Sequence, residues 1–319
     1  MSGASLDFSE ILKSPREVYG KKLAELAAER ADIVVLTADL LMSNKFAEFQ
    51  EVYPERSFNV GIAEANMMGI AAGLALDGWT PFVSTFAAFA SMRACEQVRT
   101  DIAYPNLPVK IIATMGGLSG GTAGPTHSGI EDLSIMRGMP NMTVIAPGDP
   151  LQLSQFVEAA LAVAGPVYIR LGRGDDPVIY HDQEIVIGKA IEILEGSDVS
   201  IVACGTVLRD VLEAQRVLEG EGISAGVLDV HTVKPIDAGA IVTAARRSGR
   251  VLTVEDHLVT GGLGSAVAEV LVESGTVCRF KRLGVPDVFP IIGEPKDLFH
   301  HYGYDAIGIC AAARQLLAV

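Results

Sequence analysis

Short apolar runs alternate with stretches of helical spacing along most of the chain. The run Ile33-Val34-Val35-Leu36-Thr37 has no polar alternation, the pattern of a parallel strand covered on both faces. Before it, residues 15–30 place Leu23, Leu26 and Ala27 at helical spacing, with Pro15 in the first turn. The same rhythm predicts helices over 64–76, 88–104 and 151–163, and strands over 80–84, 109–114, 143–146 and 167–170. A looser segment, 172–188, carries charge, proline and glycine. Beyond it the alternation resumes, with strands over 199–203, 225–229, 251–254 and 278–283 and helices over 207–219, 238–248, 261–274 and 305–317. This rhythm defines an α/β fold with two doubly wound domains, over 12–178 and 189–319.

A length of 319 residues suits two domains of about 150 each. The formal charge of -14, with no basic run, argues against nucleic acid and anionic membrane surfaces as partners. No uninterrupted apolar stretch of about 18 residues is present to span a membrane. The start, Met1-Ser2-Gly3-Ala4, lacks the basic-then-apolar pattern of a signal peptide. Cys95, Cys204, Cys278 and Cys310 stand apart with no paired spacing. Reduced thiols in a cytoplasmic protein are therefore expected, with no disulfide and no metal site held by this chain.

Four stretches hold residue types that carry chemistry. In Gly61-Ile62-Ala63-Glu64 a carboxylate opens a helix made of small residues, among them Ala65, Gly69, Ala72 and Gly73. The helix dipole alone accounts for a first-turn carboxylate. Small residues also let another backbone come close, and a carboxylate buried at such an interface is placed for proton transfer to a ligand. In Ser84-Thr85-Phe86-Ala87-Ala88-Phe89 two aromatics lie three apart, as core packing or as a stacking platform for a flat heterocycle. The stretch from Met115 to Ser128 holds five glycines, too many for a helix or central strand. It reads as a functional loop after a strand, with His127 at its far end either as an ordinary hydrogen-bonded histidine or, as its loop and neighbours favour, facing substrate. Asp39, just past a strand, reads by itself as a turn cap. Arg16, Arg170 and Arg173 are candidate phosphate-binding groups, or else solvated or salt-bridged arginines. Glu255-Asp256-His257 and Gly261-Gly262-Leu263-Gly264 fall at a strand end and a helix start, with a structural or interface role.

Gly61-Ile62-Ala63-Glu64, the Phe86 stretch, Gly124-Pro125-Thr126-His127 with Ile130-Glu131-Asp132, and Pro140-Asn141-Met142 occur in that order. Together they resemble the pyrimidine-binding and C-terminal domains of a transketolase, over nearly the whole chain. The resemblance implies thiamine diphosphate as cofactor and transfer of a two-carbon ketol unit between phosphorylated sugars. It implies that Glu64 hydrogen-bonds the aminopyrimidine ring and so activates the cofactor. Phe86 and Phe89 would pack round that ring, with Met92 where the family has a third aromatic. Asp39 and Leu40 would lie close to the ring system. Arg16, Ser43 and Arg173 would hold the sugar phosphate, and His127 would act in the substrate channel near the donor hydroxyls.

Departures from the family pattern bear on substrate and partner. Met115 and Ala123 stand where the family often has a histidine and an aspartate. Loss of that aspartate points to a modified or differently configured sugar. The Gly-Asp-Gly motif and following asparagine that hold Mg2+ and the diphosphate are not found in this sequence, and few residues precede Arg16. The chain thus resembles the C-terminal subunit of a split transketolase. It would be inactive alone, and an N-terminal subunit would supply the diphosphate and Mg2+ site in an α2β2 assembly. The rival resemblances are the β subunit of a 2-oxoacid dehydrogenase first component and a 1-deoxyxylulose-5-phosphate-synthase-like enzyme.

Overall fold

The computed structural model describes residues 12–180 and 183–318. The strands of the first half are β1 (Leu12–Lys13), β2 (Ile33–Thr37), β3 (Ser57–Asn59), β4 (Thr80–Phe86), β5 (Lys110–Thr114), β6 (Thr143–Ile145), β7 (Val167–Arg170) and β8 (Asp176–Pro177). The second half holds β9 (Ile191–Leu194), β10 (Val199–Cys204), β11 (Ala225–Asp229), β12 (Thr232–Lys234), β13 (Arg250–Leu258) and β14 (Arg279–Val285). One sheet has the order β12-β6-β7-β5-β4-β2-β3, parallel except where β12 runs antiparallel to β6. The other has the order β14-β13-β10-β11-β9, parallel except for β9. Strands β1 and β8 pair separately. The strand β12 lies past the sequence boundary yet completes the first sheet.

Alternation of side chains explains why both sheets are covered on two faces. Successive strand residues point to opposite sides. Ile33 and Val35 join one apolar cluster with Tyr19, Leu23 and Phe156, while Val34 and Leu36 join another with Met67, Met68 and Ala71. Helices Pro15–Glu29 and Pro150–Ala159 therefore cover one face of the first sheet, and Glu64–Leu76 the other. The first cluster runs on through Val199, Ile201 and Leu252 of the second sheet, so the two domains share buried apolar surface. Among the described residues no helix is long and apolar enough to cross a membrane. All four cysteines are free, Cys204 and Cys310 buried, Cys95 and Cys278 half-buried.

One helix differs from the sequence expectation. Residues 88–104 wind mainly as two π-helical segments, Phe89–Arg93 and Val98–Ala103, about a short α-turn at Cys95–Gln97. The Ala94 amide donates to Phe89 O at 3.1 Å, a five-residue step. Phe89 and Arg93 lie four apart in this segment, and the Arg93 guanidinium stacks on the Phe89 ring. Short helices at Ala47–Val52, Asp132–Arg137 and Pro295–Tyr302 were also not legible in the periodicity.

Candidate active site

The C-terminal ends of β2, β3, β4 and β5 converge, the edge at which open α/β sheets bind ligands. Asp39 follows β2, Glu64 follows β3, Phe86 ends β4, and the glycine-rich loop follows β5. Between them lies a cavity of about 320 Å3 lined by Asp39, Leu40, Glu64, Phe86, Phe89 and His127, with Ile62, Arg93 and Thr126. Six of the residues singled out from sequence thus meet in one space.

Glu64 is the first residue of its helix and only 1% exposed. Its two carboxylate oxygens accept from Arg93 Nη1 at 2.8 and 2.9 Å. The Arg93 guanidinium lies over the Phe89 ring, 4.0 Å from the centroid, and its side chain is 47% exposed. Phe86 and Phe89 stand 5.5 Å apart between centroids, tilted by 36°. The His127 ring packs edgewise on both, at 5.9 and 5.3 Å, with Nδ1 and the Thr126 hydroxyl 2.9 Å apart. Asp39 adopts a left-handed backbone, φ 62°, fixed by paired hydrogen bonds with the Asn59 side chain. Strain of that kind persists where the surroundings over-determine it, often at functional sites.

The remaining sequence candidates lie outside this cavity. Met92 is 58% exposed and does not line it; its neighbour Arg93 does. Arg16 Nη1 donates to Ser43 O at 2.8 Å, while its buried Nε has no partner. Burial lowers the Arg16 pKa, and the neighbouring Arg173 charge lowers it further. Two guanidinium groups that oppose each other in this way are relieved by an anion. Arg173 is exposed and lines a second space of about 430 Å3 with Ser119, Arg209 and Lys296, at the junction of the two domains. Arg170, by contrast, is a buried structural group, ion-paired with Asp132 at 3.0 Å. Glu255 caps helix Leu263–Glu273 by accepting from the Leu263 and Gly264 amides at 2.7 and 2.8 Å.

The flat aromatic platform and the buried carboxylate at its end fit a planar heterocycle that offers a ring N–H. Phe86 and Phe89 supply stacking faces, and Glu64 supplies the acceptor. Among the described residues no group of three or more His, Cys, Asp or Glu is placed to hold a metal ion.

The chain belongs to the transketolase family: residues 13–177 match its pyrimidine binding domain and residues 188–309 its C-terminal domain. Within that family it corresponds to the C-terminal section found in split transketolases. A putative transketolase C-terminal section of Methanocaldococcus jannaschii is 42% identical, covering 94% of this chain and 95% of the relative. A 6-deoxy-6-sulfo-D-fructose transketolase subunit of a Clostridium species is 43% identical over 94% of each chain. A 1-deoxy-D-xylulose-5-phosphate synthase of Geobacter sulfurreducens is 41% identical, but the match spans only 48% of it. The solved structure of a split gene transketolase, described as an inactive beta4 tetramer, superposes with a TM-score of 0.89 at 47% identity, covering 96% of this chain and 98% of that one.

Proposed function

We propose that this chain is the catalytic-glutamate subunit of a thiamine-diphosphate-dependent transketolase, active when joined by an N-terminal subunit. The observation that carries the reading is the buried Glu64 carboxylate at the end of the Phe86–Phe89 platform, closed over by His127. When bound, the cofactor supplies a carbanion-stabilising thiazolium. Glu64 holds the proton at N1′ of the aminopyrimidine, Phe86 and Phe89 stack on that ring, and Asp39 and Leu40 border it. His127 faces the hydroxyls of the ketose donor, and Arg16 and Arg173, with Ser43 beside them, receive its terminal anion. Mg2+ and the diphosphate are held by the partner chain.

The outward face of helix Glu64–Leu76 supports that partner. Ile62 and Leu76 are 75% and 73% exposed, and Ile70 lies between them. A Cβ added at Gly73 would meet nothing within 4 Å, so packing inside this chain does not require glycine there. A smooth apolar face flanking the glutamate is suited to a second polypeptide that completes the cofactor site. The proposed assembly has two copies of each subunit.

The test is reconstitution. Purified chain, the N-terminal subunit, thiamine diphosphate and Mg2+ are mixed and assayed for ketol transfer from phosphorylated ketoses. Because Ala123 departs from the family pattern, and one relative bears the name of a sulfo-fructose transketolase, a sulfonated ketose belongs in the donor panel. Activity only in the mixture supports the reading. Turnover confined to pyruvate or a branched 2-oxoacid assigns the chain to synthase or dehydrogenase chemistry instead.

A further inference from the structure

The glycine-rich loop between Met115 and Gly129 is tied at both feet to buried side chains. At the first foot the Leu118 amide donates to both carboxylate oxygens of Asp256, at 2.9 and 3.1 Å. At the second, Arg170 Nη2 donates to Gly129 O at 3.0 Å and to Asp256 O at 2.5 Å. Asp256 belongs to β13 of the second domain, 138 residues from Leu118. The Tyr304 hydroxyl donates to Asp256 Oδ1 at 2.9 Å, and all these side chains are buried.

The fit between carboxylate and loop is close. Gly117 has φ +63°, and a Cβ there would lie 2.1 Å from the Asp256 carboxyl carbon. Between its two feet the loop carries His127 onto the rings of Phe86 and Phe89. A buried carboxylate that accepts one amide N–H across both its oxygens and one hydroxyl fixes those donors strongly, because a buried polar group left unpaired is costly.

We infer that Asp256 is a positioning residue of the active site: it holds Leu118, and through the loop it sets where His127 lies on the Phe86–Phe89 platform. The second domain thereby takes part in catalysis without lining the cofactor cavity. The catalytic half of this inference rests on the proposed transketolase reading; the restraint on the loop does not.

A double-mutant cycle in the assembled complex tests it. Asp256→Asn is expected to lower kcat/KM for the ketose donor by about tenfold, the scale of one charged hydrogen bond. In a His127→Ala background the same change should cost less than about twofold, because the group being positioned is gone. Amide exchange of 117–128, followed by mass spectrometry on the full chain, should quicken by about tenfold in Asp256→Asn. Tyr304→Phe, which removes only the hydroxyl, should act in the same direction by about threefold and serves if the first variant folds poorly. An equal cost with and without His127, or loop exchange unchanged in both variants, overturns the inference. If the assembled wild-type complex transfers no ketol unit, the functional reading fails, and amide exchange still decides the restraint.

Discussion

The Arg93 guanidinium occupies both contacts that a planar cofactor ring would need: it binds the two oxygens of Glu64 through one nitrogen, at 2.8 and 2.9 Å, and lies 4.0 Å above Phe89. A carboxylate only 1% exposed is unstable without a counter-charge. Arg93 supplies one in the chain alone. A ring stacked on Phe89 and bonded to Glu64 would need the same place, so on the proposed reading the arginine would swing outward as the site fills. Its side chain, already 47% exposed, can do so at small cost.

Arg93→Ala should therefore tighten thiamine diphosphate binding to the assembled complex, by up to about fivefold, the worth of a half-exposed ion pair. Calorimetric titration of the complex reads it directly. Weaker binding in the variant would mean that Arg93 helps to hold the cofactor.

Glu64→Gln keeps size and hydrogen-bonding capacity but removes the charge. Ketol transfer by the complex should fall by roughly 100-fold or more, the usual worth of a positioned acid–base group. The melting temperature of the chain should move by only about 3 °C, because the lost partner, Arg93, is half in water. Retained turnover in that variant would remove Glu64 from the chemistry.

Arg173→Ala should raise KM for a phosphorylated donor by roughly tenfold to a hundredfold, the range for a charge-assisted bond to phosphate. An unphosphorylated donor should change by less than about twofold. Equal effects on the two donors would show that the arginine does not meet the anion.

Burial raises the pKa of Asp229 to about 7, despite hydrogen bonds from Gln152 and Tyr180 that lower it. Between pH 4 and 7 the folded chain keeps a proton that the unfolded chain has lost, so this group's stabilising contribution falls as pH rises through that window. Asp229→Asn cannot lose that proton. The melting temperature of the variant, minus that of the wild type, should therefore grow by roughly 2–5 °C from pH 5 to pH 8. His231, whose pKa burial lowers to about 4, works in the opposite sense and is common to both proteins, so the difference isolates Asp229. A difference independent of pH would show that Asp229 titrates normally.

Local pattern carried much of this protein. Unbroken apolar runs such as Ile33-Val34-Val35-Leu36 specify strands covered on both faces, because successive side chains must each find an apolar neighbour. The ends of those strands placed Asp39, Glu64, Phe86 and the glycine-rich loop at one edge, and the structure gathers them round one cavity. Glu64 and Phe89 could be picked out because each stands in a short motif of its own.

Contacts between distant residues were not legible, because spacing along a chain does not state which strands become neighbours. Strand β12 completes the first sheet from the far side of the domain boundary. Asp256 meets Leu118 across 138 residues only because β13 lies against the glycine-rich loop. Arg93 reaches Glu64 across 29 residues from a π-helical segment whose winding the apolar period did not state. The sequence by itself determined the strands, the helices and the chemical character of the site. Tertiary packing decided which charges face each other in it, since that pairing depends on desolvation and distance in three dimensions.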